Sequence, residues 1–375
     1  MKNKIWIKRL ALSGVTLLIA LLAAELIVRM VVYVPRGTPY VAVNPDTVYI
    51  SKPNVSGRHI SPGEFNYPFQ TSSLGFRSAE LGSGPAATPR ILCLGDSFTF
   101  GVGASDPETW PAQLEVKLNV AGKKIEVVNA GVMGWGLAEY WIWTSSKAAK
   151  FAPNLIVVGC HASDWENAYH GLVSLDADGK LKQHQVIRKD VSRLKAIADH
   201  IPLYDTMMTH SAIASLLKQM VVRLTRKGTT GGGSGGTEPS SMASEVSRVE
   251  QVAPINKALL SELKQVAADM GAGLLIVFIP SVGAMDATTD DAHYRRFREQ
   301  AQTWTQELTI PHVDATLLLQ GHLKRHALPA SALYHGRDGH CTPTGYKVIA
   351  EGISDAIFKH PEWLTNTNKS PAPSQ

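Results

Sequence analysis

Between residues 90 and 359, short apolar runs alternate with longer amphipathic stretches, and this alternation limits the fold more than any other feature of the chain. A short apolar run bounded by turn residues is a strand buried on both faces, and an amphipathic stretch after it is a covering helix. The pattern predicts a parallel sheet with helices on both sides. Strands are expected at 91–94, 125–128, 155–159, 274–279 and 311–313. Asp106 and Pro107 are expected as cap and first residue of a helix with Trp110, Leu114 and Leu118 on one face. Further helices are expected at 137–150, through Ile255, Leu259, Leu263, Val266 and Met270 to a stop at Gly271 and Gly273, at 293–308, and from Thr342 and Pro343 onward.

This organisation divides the chain. Residues 35–89, rich in Pro, Gly, Asn and Ser, are expected to be a lead-in of irregular strands and turns. The α/β domain spans 90–360, with an insertion at 164–243 read as helical or lid-like and containing a flexible Gly/Ser tract at 228–241. Residues 361–375 are expected to be a disordered tail.

The first 34 residues have a different character. Lys2, Lys4, Lys8 and Arg9 precede an apolar run from 10 to 33 broken only by Glu25 and Arg29. As a helix that run is about 36 Å long, enough to span a bilayer. Glu25 and Arg29 share a helical face and can pair where the span leaves the hydrocarbon. The flanking cations place the N-terminus in the cytoplasm and the rest outside it. A signal peptide cleaved near Ala24 is the alternative, and it exports the same domain. The absence of a nearby lipobox cysteine argues against a lipoprotein.

Composition excludes other classes. With 37 Lys and Arg against 32 Asp and Glu and no basic stripe, nucleic-acid binding is not expected. Cys93, Cys160 and Cys341 lack zinc-site spacing and are expected as buried or idle thiols. The histidines form no ligand cluster with cysteines or acids, so neither metal nor cofactor is expected.

The chemistry is carried by Gly95-Asp96-Ser97-Phe98-Thr99-Phe100-Gly101, directly after the first strand. A glycine turn at the carboxyl end of a parallel strand exposes the serine hydroxyl in the ligand crevice of an open sheet. A phosphate loop is excluded because no Lys-Ser/Thr pair is present, and a G-x-S-x-G elbow because Thr99 stands where its second glycine would be. A serine needs a base oriented by a carboxylate. Arg337-Asp338-Gly339-His340-Cys341-Thr342-Pro343 offers Asp338 and His340 in a loop before the last helix, with His335 as a nearby decoy and Asp314 as a helix cap or structural acceptor. Asn129-Ala130-Gly131-Val132-Met133-Gly134 can supply N–H groups to an oxyanion.

These segments together resemble the SGNH (GDSL-like) hydrolases, specifically membrane-anchored bacterial members, which also carry a lead-in similar to Ser73-Leu74-Gly75-Phe76-Arg77. The resemblance implies a flavodoxin-like three-layer α/β/α fold with a mainly parallel sheet. It assigns Ser97 as nucleophile, Asp338 and His340 as acid and base, and Ser97 and Gly134, with Gly131 as a second candidate, to the oxyanion hole. Many relatives place two residues between the Asp and the His, and this chain places one. Where they carry an oxyanion-hole Asn after the third strand, this chain has Ser163 in Gly159-Cys160-His161-Ala162-Ser163-Asp164-Trp165-Glu166-Asn167, with His161 and Asn167 as substitutes. Losing one such donor costs roughly 3 kcal/mol.

The implied function is an esterase or O-acyltransferase working through an acyl-serine in the periplasm, anchored in the inner membrane. Its implied substrate is an envelope ester, an acetylated polysaccharide foremost. A catalytically weak scaffold of a polysaccharide assembly and a lipid or thioester hydrolase are the alternatives, the latter favoured by an amphipathic lid in the insertion. Oligomeric state is not legible.

Overall fold

A computed structural model describes residues 2–81, 88–120, 124–166, 171–185, 198, 201–226, 242–285 and 292–365. Asn167, the 228–241 tract and the tail from 366 lie outside the described residues.

The expected strands form one parallel sheet: β1 (Arg90–Gly95), β2 (Glu126–Asn129), β3 (Leu155–His161), β4 (Gly273–Ile279) and β5 (His312–Asp314). Their order is β5-β4-β3-β1-β2, which reverses between β1 and β3. That is the flavodoxin-like order, and its ligand crevice lies at the carboxyl ends of β1 and β3. Alternate residues of each strand bury on opposite faces. Leu92, Leu94, Ile156, Val158, Ile276 and Phe278 meet α4 (Leu137–Lys147), α8 (Met242–Asp269) and α9 (Ala292–Glu307). Ile91, Cys93, Val157, Leu275 and Val277 meet α3 (Trp110–Asn119), α10 (Ala315–His326) and α11 (Pro343–Phe358). The result is three layers, α/β/α.

Several boundaries differ from expectation for local reasons. Asp106–Glu108 is a separate 3-10 turn, and α3 begins at Trp110 because the Thr109 hydroxyl accepts the Ala112 N–H and Pro111 fits the first turn. Past α11 the chain continues through a 3-10 turn, Pro361–Leu364, whose Leu364 is buried, so ordered structure extends beyond the expected start of the tail.

The lead-in is more regular than irregular strands and turns. Arg36–Gly37, Ser56–Ser61 and Phe65–Gln70 form an antiparallel sheet, and Val41–Asn44 pairs with Val48–Ser51. Its Tyr40, Phe65 and Phe69 pack on Phe100 and Val102, with the Tyr40 and Phe100 rings stacked at 4.5 Å.

The N-terminal helix α1 (Lys2–Val31) has a stretch, Ile5–Val31, long and apolar enough to cross a membrane, with none of its most apolar part buried against the protein. The insertion contributes α5 (Ala162–Glu166), a hairpin of Val173–Leu175 with Leu181–Gln183, and helices α6 (Tyr204–His210) and α7 (Ala212–Arg226). The cysteines are thiols buried in the fold.

Candidate active site

Ser97 opens the short helix α2 (Ser97–Phe100) at the carboxyl end of β1, beside the point where strand order reverses. The turn is fixed by Asp96, whose Oδ1 accepts the Phe98 N–H at 2.9 Å. Asp96 is buried, and burial raises its carboxyl above the ordinary range against that hydrogen bond. Arg77, from the lead-in, ties the end of the turn in place: it donates to the carbonyls of Phe100, Gly101 and Ala104 at 3.0, 2.6 and 2.7 Å and pairs with Asp106 at 2.7 Å.

The sequence-predicted Asp338 and His340 come together with Ser97. His340 Nε2 lies 2.7 Å from Ser97 Oγ, and His340 Nδ1 lies 2.6 Å from Asp338 Oδ1. One intervening residue suffices because Gly339, at φ +86°, adopts the left-handed conformation and folds the carboxylate back onto the imidazole. Burial alone would raise the Asp338 carboxyl, but the hydrogen bond and charge of His340 outweigh it and hold it below the ordinary range. His335 is structural: its Nε2 donates to the Gly103 carbonyl at 3.0 Å and its ring meets Phe65. Asp314 caps α10 by accepting the Thr316 N–H at 2.9 Å. Thr342 caps α11 by accepting the Gly345 N–H at 3.2 Å.

The glycines after β2 separate into two roles. A Cβ on Gly131 would lie 2.4 Å from the Phe100 nitrogen, and its own N–H is given to Asn129 Oδ1 at 3.1 Å. Gly131 therefore permits close approach to the Ser97 turn. Gly134, at φ +79°, makes the left-handed bend. The Ser163 hydroxyl lies 2.9 Å from His161 Nδ1, which also receives the Ser163 N–H at 3.3 Å. The His161 ring stacks on Phe98, the neighbour of Ser97, at 4.6 Å.

Sequence reasoning missed Glu64, in the turn of the Ser56–Gln70 hairpin. Its carboxylate accepts the N–H groups of Arg337 and Asp338 at 2.6 and 3.1 Å and the Ser61 hydroxyl at 2.7 Å. Burial opposes ionisation there, but these donors keep the carboxyl below its ordinary range. Tyr33, just past α1, shares a 2.6 Å hydrogen bond with Ser61 and carries the Arg337 guanidinium 5.4 Å over its ring. No local pattern marks Glu64 as part of the site, since the Arg337 and Asp338 backbone it holds lies more than 270 residues away.

The sequence matches the GDSL-like Lipase/Acylhydrolase family over residues 93–348. The chain belongs to this family. Among solved structures, TesA shares 13% identity over 72% of this chain and 98% of its own, with a TM-score of 0.41. The acetylxylan esterase Axe2 from Geobacillus stearothermophilus shares 14% over 76% and 99%, with a TM-score of 0.41. A two-domain esterase (CEX) active on acetylated mannans shares 10% over 76% and 53%, with a TM-score of 0.40. Likeness this distant transfers no substrate. No curated protein sequence matches the chain. Membership in the GDSL-like family makes ester or acyl hydrolysis its class of chemistry. Glu64 and Arg77 lie outside the matched span, so the lead-in braces a GDSL-like site from beyond the family's own region.

Proposed function

We propose that the protein is an extracytoplasmic serine esterase or O-acyltransferase in which Ser97 is the nucleophile, His340 the general base and acid, and Asp338 the group that orients His340. The observation that carries this reading is the continuous Ser97–His340–Asp338 chain at 2.7 and 2.6 Å. As Ser97 Oγ bonds to the ester carbonyl carbon, its proton passes to His340 Nε2, and Asp338 stabilises the imidazolium through Nδ1–H. The oxyanion is received by the backbone N–H groups of Ser97 and Gly134. Ser163, expected as the third donor, has its hydroxyl engaged by His161. Collapse expels the alcohol with the proton from His340 and leaves acyl-Ser97. Water then releases the acid, or a sugar hydroxyl takes the acyl group, by the same steps in reverse.

The cations in the first turns of α1 and its apolar length support a single-pass anchor in the inner membrane with the catalytic domain in the periplasm. That placement favours an acetylated envelope polysaccharide as substrate. The lipid-ester alternative has the amphipathic α7 behind it, but α7 is hydrogen-bonded to α1, to α6 and to Pro35. Hydrolysis of p-nitrophenyl acetate against p-nitrophenyl palmitate by the full-length protein tests both points. The acetate is expected to be preferred, and Ser97→Ala to lower its kcat/KM by at least about 10⁴-fold. Activity unchanged in Ser97→Ala overturns the mechanism, and a palmitate preference overturns the substrate class.

A further inference from the structure

We propose that the α6–α7 hairpin of the insertion beds into the outer surface of the bilayer that α1 crosses, giving the catalytic domain a second membrane contact. The inference rests on the reading of α1 as a membrane anchor. Helix α7 is amphipathic and leaves an apolar stripe outside: it buries Ala212, Ala214 and Ser215, while residues 213, 217, 220 and 221 share a face turned away from Ala212 and Ser215. On that face Leu217 and Met220 are 56% and 51% exposed. Leu203 and Met207, on α6 and the turn before it, are 75% and 43% exposed. Single exposed leucines are ordinary, but a cluster on adjoining helices is a docking surface.

The occupant follows from where α7 begins. The Glu25 carboxylate of α1 accepts the Ala212 and Ile213 N–H groups at 2.7 and 3.1 Å and the Ser211 hydroxyl at 2.9 Å, so a residue of the anchor caps α7. Arg29, paired with Glu25 at 2.7 Å, donates to the His210 carbonyl at the end of α6. Glu25 and Arg29 are the only charges between residues 10 and 33, so they mark where α1 leaves the hydrocarbon. The hairpin is fixed at that level, and the exposed Leu26, Met30 and Val31 of α1 continue its apolar surface. In sequence, helix α7 carries Lys218, Arg223 and Arg226 and no acid, the composition of an interfacial helix.

The test uses the full-length protein in vesicles of phosphatidylethanolamine and phosphatidylglycerol. Single cysteines at Leu217, Met220, Ile19 and Ser145 carry an environment-sensitive fluorophore, the native cysteines being buried. Lipids with brominated chains are the quencher. Labels at 217, 220 and 19 are expected to shift to the blue and lose most of their fluorescence, while the label at 145, exposed on α4, does neither. Quenching at 19 without quenching at 217 and 220 overturns the second contact and leaves the anchor standing. A blue shift at 217 and 220 without lipid quenching also overturns it, assigning the face to a protein partner or a second copy. Absence of quenching at 19 removes the anchor and the inference together.

Discussion

Gly339 lets Asp338 and His340 share a hydrogen bond across a single intervening residue, and Glu64 holds the backbone on the near side of that bend. Two charge-assisted hydrogen bonds from Arg337 and Asp338 end on its carboxylate. Glu64 is thus a positioning residue. Glu64→Gln is expected to lower kcat roughly 10- to 100-fold through misplacement of His340, with KM nearly unchanged. A parallel change in KM and folded fraction would reduce Glu64 to a structural brace. The Ser163 hydroxyl is engaged with His161 Nδ1 at 2.9 Å. Ser163→Ala is expected to lower kcat less than about tenfold, against the 10²- to 10³-fold that follows loss of an oxyanion donor. A loss in that larger range, measured on the same acetate ester, returns Ser163 to the oxyanion hole.

Among the elements, α4 joins the Gly134 loop to the core and starts with a carboxylate out of water. Glu139 is buried, and its Oε2 accepts the Gly136 N–H at 3.0 Å. Burial pushes its carboxyl up from 4.5 to about 8. The folded state therefore keeps a proton that the unfolded chain releases. Stability present below the unfolded value is lost as pH rises toward the folded one. Urea unfolding of the wild type is expected to show stability falling between pH 4.5 and about 8 relative to Glu139→Gln, in which that component is absent. Equal pH slopes in the two proteins contradict this. The strands and covering helices were legible because buried parallel strands are continuous apolar runs, Ser97 because its short motif follows a strand, and Asp338 and His340 because theirs immediately precedes the Thr342 cap of α11. The antiparallel lead-in sheet was not legible: Ser56–Ser61 and Phe65–Gln70 are interrupted by Gly57, His59 and Pro68, and their order comes from packing on Phe100. The start of α3 moved from Pro107 to Trp110 because the Thr109 cap, three residues on, took the place of Asp106.

At the scale of the whole molecule, the segment that leaves α1 touches the candidate catalytic loop. Tyr33 leaves α1, bonds Ser61 and underlies Arg337, while Glu64 beside Ser61 holds the Asp338 backbone. Where α1 lies therefore bears on how the loop is held. If α1 spans a bilayer, the full-length chain is expected to stay in the membrane fraction through high salt and alkaline carbonate and to leave only with detergent. Release by salt alone contradicts a spanning α1.

The central claim is that Ser97 is an activated nucleophile. Treating the purified full-length protein with a fluorophosphonate probe and mapping the adduct by peptide mass spectrometry tests it most directly. One stable adduct on Ser97 is expected, absent in Ser97→Ala and formed far more slowly in His340→Ala. No adduct, or an adduct on another residue that persists in Ser97→Ala, contradicts it.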